Sequence, residues 1–88
     1  MPPSTDAEII RHSIRDQLYH RHPAPMTPAG LLRAVTVDVG FCPAPVDIAG
    51  ALADLKDLGQ ATVEPDALGN TEWWRLTAAG RFAKERGQ

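Results

Sequence analysis

The sequence predicts a mainly α fold with one small β-hairpin, in the order helix, helix, helix, strand, strand, helix. Three observations carry this α+β reading. Apolar residues recur every three or four positions from Ala7 to Leu55, the period drops to two past Gly59, and a short helical segment resumes after Thr77. The 88 residues are 43% hydrophobic, normal for a packed core and too apolar for a disordered tail. One domain spanning 1–88 is expected, with an ordered core over about 6–86.

The first helix has a start signal in Thr5-Asp6-Ala7-Glu8, which fits a capping box: the threonine hydroxyl accepts from the third residue's amide and Glu8 reaches back. Ala7, Ile10, Ile14 and Leu18 form its apolar stripe. His22-Pro23-Ala24-Pro25 ends it, because proline disfavours helical geometry in the residue before it. The second helix starts at Thr27-Pro28, a capping hydroxyl followed by a proline whose missing N–H costs nothing at the first helical position. Leu31, Leu32 and Val35 supply its buried side, and Gly40 is placed to stop it in a left-handed conformation.

After a short turn over residues 41–44, a third helix runs from about Pro45, with Ile48, Leu52 and Leu55 on one side and Gly59 as terminator. Ala61 and Val63 then alternate with Thr62 and Glu64, residues 65–70 are dense in turn formers, and residues 72–76 alternate again as Glu-Trp-Trp-Arg-Leu. This is a hairpin with a long tip. Its period places Trp74 and Leu76 on the core face and Trp73 and Arg75 on the outer one. If the phase is off by one residue, Trp73 packs under the last helix against Phe82 instead. Thr77 caps that closing helix, which runs through Phe82 to about Arg86.

Composition excludes several classes. The apolar stretch over residues 39–46 contains two prolines and is far shorter than the roughly 20 residues of a membrane span. No basic region followed by a greasy one opens the chain, so no secretion signal is expected and the location is expected to be cytoplasmic. One cysteine, Cys42, allows no internal disulfide or cysteine-cluster zinc site, and without an adjacent base it reads as a small hydrophobe. His12 and His20 lie eight residues apart, about 12 Å along a helix at 1.5 Å per residue, too far to share an ion, and His22 adds no zinc-like spacing. No Ser-His-Asp order, phosphate loop or paired general acid and base is present, so no catalytic residue, metal, cofactor or small-molecule ligand is expected.

The spacing Ile48-x3-Leu52-x2-Leu55-x3-Gly59 resembles the third helix and glycine exit of bacterial winged-helix regulators. Residues 73–80, Trp-Trp-Arg-Leu-Thr-Ala-Ala-Gly, are similar to the aromatic-Arg-Leu-Thr-x2-Gly passage by which such domains leave the wing and start the closing helix. With the first two helices, the likeness to the winged helix-turn-helix covers nearly the whole chain. A fainter one is to small winged-helix proteins of Mu-like prophages. The resemblance implies a DNA-binding transcription regulator whose third helix enters the major groove.

The residues at that position are unusual for such a task. On a wheel of about 100° per residue, the outward side of the third helix holds Val46, Gly50, Ala53, Asp54 and Asp57, with Asp47 beside them and Lys56 on the flank. Residues 45–66 carry a net charge of −4, whereas residues 67–88 carry +2 and the whole chain −2. Since phosphate neutralisation supplies most non-specific DNA affinity, contacts would fall to Arg11, Arg15 and Arg21 of the first helix, Arg33, Lys56, and Arg75, Arg81, Lys84 and Arg86 near the end. Two functions follow: DNA binding by those cations, or a protein-interaction module, homodimer or adaptor, built on the small-residue strip of the third helix and on Trp73 beside Arg75.

Overall fold

The computed structural model describes the backbone of residues 4–87 and the side chains of residues 6–87. The order is α1 (Ser4–Arg21), α2 (Pro28–Val39), α3 (Pro45–Asp57), β1 (Ala61–Pro65), β2 (Glu72–Leu76) and α4 (Ala78–Glu85), as the sequence periods require. α1 starts at Ser4, so Thr5 stands inside the helix rather than before it; its side chain, and with it the expected capping bond, lies outside the described residues.

The other boundaries follow local chemistry. Thr27 is extended, its Oγ1 accepts from the Gly30 N–H at 3.1 Å, and Pro28 opens α2. Gly40 ends α2 at φ 82°, donating its N–H to the Thr36 carbonyl. α3 starts after Ala44, whose own N–H is taken by the Asp47 carboxylate at 3.0 Å.

Ile10, Ile14 and Leu18 of α1, Leu31 and Val35 of α2, and Ile48, Leu52 and Leu55 of α3 converge on one core, closed by Ala61, Trp74 and Leu76 from the hairpin. β1 and β2 pair antiparallel, Ala61 opposite Leu76 and Val63 opposite Trp74, which puts alternate residues of both strands on the core. Trp74 is 5% exposed and Trp73 37%, so the strand phase is the one that the alternation predicts. Phe82 is exposed.

One pairing has no periodic signal in the sequence. Met26, between the prolines and Thr27, exchanges both backbone hydrogen bonds with Trp74 at 2.8 Å and so adds a one-residue third strand to the hairpin. α4 is fastened by its ends. The Thr77 Oγ1 accepts from the Gly80 N–H, Tyr19 of α1 donates to Glu85 at 2.8 Å, and Lys84 pairs with Asp16 at 3.4 Å. No described helix is long and apolar enough to cross a membrane.

Candidate nucleic-acid interface

α2, the turn over residues 41–44 and α3 form a two-helix corner, with the hairpin beside it. α3 buries Ile48, Ala51, Leu52 and Leu55. Its other side presents Val46 (73% exposed), Asp47, Gly50, Ala53, Asp54, Lys56 and Asp57, all exposed, as the wheel predicts. Asp47 has a structural occupation, since it takes the Ala44 amide at the helix start, where the helix dipole also favours a negative charge. Asp54 and Asp57 have no such task among the described residues and leave the outward face acidic.

The hairpin tip is organised by another acid. Asp66 Oδ1 accepts from the backbone N–H groups of Asn70 (3.0 Å) and Leu68 (3.1 Å), while the Asp66 carbonyl accepts from Gly69. These bonds, that from Asn70 first, hold the Asp66 carboxyl below its ordinary value. On the strands, Arg75 meets Glu64 at 2.8 Å with both side chains substantially exposed, and Trp73 lies opposite Glu64 in the register.

The structure sorts the expected phosphate contacts. Arg33, Lys56 and Arg81 are exposed, Arg11 is half-buried, and Arg75 is half-exposed on its bond to Glu64. Arg15 is a correction. It is only 6% exposed, its guanidinium lies 3.3 Å from Gln60 Oε1 and 3.1 Å from His12 Nδ1, and burial pulls its pKa down, with Asp16 opposing and Arg11 adding to the shift. Spacing alone puts it among the surface cations; in the fold it ties α1 to the α3–β1 junction. Lys84 is half-buried, paired with Asp16 at 3.4 Å and lying 5.7 Å from the centre of the Tyr19 ring. Cys42 differs from expectation too: it is exposed at the α2–α3 corner. No group of three metal-capable side chains occurs among the described residues.

No family model matches the chain, and no curated protein does. Among solved structures it is similar to ZitR of Lactococcus lactis, a mutant form without ligand, with a TM-score of 0.68 at 13% identity over 96% of this chain. The fold is a winged helix-turn-helix. MepR, a mutant from a multidrug-resistant S. aureus clinical isolate, superposes with a TM-score of 0.65 at 15% identity over 97% of the chain. The chain spans 58% of the ZitR chain and 62% of the MepR chain. In winged-helix terms, α2 and α3 are the helix-turn-helix and the β1–β2 hairpin is the wing.

Sequence reasoning missed the part played by Gln60. Its carbonyl accepts from Thr77, its side chain meets Arg15, and a Cβ at Gly80 would fall on its carbonyl oxygen. The Thr-x2-Gly passage therefore has a physical basis, a hydroxyl cap followed by a residue with no side chain where α4 crosses the backbone before β1.

Proposed function

We propose that this protein is a small, non-enzymatic winged-helix regulator that binds double-stranded DNA through the α2–α3 corner and the wing. The observation that carries the reading is the complete winged-helix arrangement, with corner, wing and closing helix in order over nearly the whole chain. Arg33 on α2, Lys56 on α3 and Arg75 on the wing supply the cations of that surface, and Arg75 exchanges Glu64 for a phosphate on contact. Val46, Gly50 and Ala53 let the α3 backbone approach closely, while Asp54 and Asp57 weaken non-specific binding and leave affinity dependent on a matching sequence.

Salt dependence tests this directly. Three phosphate contacts give log Kobs against log[salt] a slope of about −2.7, at about 0.9 per contact. Fluorescence anisotropy on a mixed-sequence duplex should return that slope, and Arg33→Ala, Lys56→Ala and Arg75→Ala should each flatten it by about 0.9. A second reading, an interaction module that has lost DNA binding, is favoured by one observation, the acidic outward face of α3. It is adopted if no salt-dependent binding occurs and the three substitutions change nothing.

A further inference from the structure

Two surfaces of this chain are opposites in charge and alike in apolar character, and the first of them includes part of the α3 face that the DNA reading uses. The first is a pair of cavities on either side of Phe41. One, of about 550 Å³, lies between the start of α1 and α3 and has Asp6, Asp47 and Asp54 on its walls. The other, of about 480 Å³, lies between α1 and the end of α2 and has Glu8, Asp16 and Asp38. No lysine or arginine is among the described residues that line either one, although Asp16 at the edge of the second is paired with Lys84, and Ile9, Phe41 and Val46 expose apolar surface there.

The second surface is the outer side of α4. Phe82 is 61% exposed, the Arg86 guanidinium lies 5.9 Å from its ring centre, and Leu58 stands exposed beside them. The shallow cavity at this place, about 340 Å³, has no carboxylate among its lining residues, and Arg81 is exposed on the same helix. α4 is anchored to α1 at Asp16 and Tyr19. Asp16 is ten residues, about 15 Å of helix, beyond Asp6, so Phe82 cannot enter the larger cavity of its own chain.

We propose that the chain self-associates head to tail, α4 of one copy seating Phe82 and Arg86 in the acid-walled groove beside Phe41 of the next. A second copy is the occupant that these surfaces specify: an aromatic anchor flanked by cations is what an apolar cleft walled by carboxylates selects. Because the two surfaces differ, the contact is heterologous. It leaves a free groove and a free α4 at the ends of every open assembly.

Sedimentation equilibrium on the full chain without nucleic acid tests this. The weight-average mass should rise above 9.5 kDa with concentration at low salt and fall back at high salt. Asp54→Lys, which spoils the groove, and Phe82→Glu, which spoils the anchor, should each weaken association at least tenfold. Both sites are exposed, so the unfolding midpoints should stay near that of the parent protein. An equimolar mixture of the two variants should recover 1:1 dimers and nothing larger, since one intact groove and one intact α4 remain. A chain monomeric at all concentrations and salts overturns the proposal. So does a dimer that neither substitution weakens, or variants that do not recover on mixing. A monomeric chain whose groove takes up a basic amphipathic peptide also overturns it and assigns the groove to a different protein.

Discussion

Two glycines in this chain look alike in the sequence and are opposite in the structure. A methyl group at Gly80 would collide with the Gln60 carbonyl and lie 2.9 Å from Leu76 Cδ2, and neither can move without disturbing the start of α4. Gly80→Ala should therefore cost about 1–3 kcal/mol. Gly50 sits inside α3 with open space around its missing Cβ, and Gly50→Ala should add about 0.5–1 kcal/mol through helix propensity alone. Urea denaturation of the two variants reads both signs. Tryptophans make a similar pair: Trp74→Ala should cost about 3–5 kcal/mol, and Trp73→Ala less, because Trp73 is 37% exposed where Trp74 is 5%. Alternation in the sequence pointed to Trp74 as the core residue but left a one-residue slip open, and the strand register decides between them. Nothing in the sequence marked Arg15 as buried, because its partner Gln60 is 45 positions away and belongs to a junction whose geometry only the assembled fold defines. Arg15→Ala should lower stability and leave the DNA salt slope unchanged, whereas Arg33→Ala should do the reverse.

At the scale of elements, legibility followed local chemistry. Thr27, Gly40, Gly59 and Thr77 act within one turn of themselves, so their capping and stopping roles could be read directly. Met26 joins the wing through its backbone alone, a contact that no side-chain period records. The wing tip supplies a pH prediction. Asp66 is held as a carboxylate by backbone N–H donors, so its pKa in the folded protein lies below the ordinary value of about 3.9. Its contribution to an ordered tip is complete above that ordinary value and is lost as the pH falls through the lower folded one. Carbon-detected NMR titration should place the Asp66 midpoint below about 3.9, with amide exchange at Leu68 and Asn70 rising, relative to the rest of the wing, as it protonates. A midpoint at or above the ordinary value would mean that the tip is not built on this carboxylate.

Across the whole molecule, charge is distributed against the fold's expectation. The net charge of −2 conceals an acidic segment over residues 45–66 and a basic one over residues 67–88. The fold spreads the cations over several faces, and one of those expected to meet phosphate, Arg15, is buried where α1 meets the α3–β1 junction. The element order was legible from period and punctuation, and the likeness to winged-helix domains from the passages over residues 48–59 and 73–80. The candidate site was legible as a face of α3, but which cations remain free to serve it depends on long-range pairing. On the proposed reading the remaining set is Arg33, Lys56 and Arg75, which keeps non-specific DNA binding weak and confines it to the corner and the wing.

An amide NMR titration with a mixed-sequence duplex at low salt tests this most directly. Salt-reversible shifts are expected at Arg33, along α3 through Lys56, and at Trp73 and Arg75 of the wing, with Arg15 and Lys84 unmoved. Shifts confined to α1 and α4, or none at any position, would contradict DNA binding through the corner and the wing.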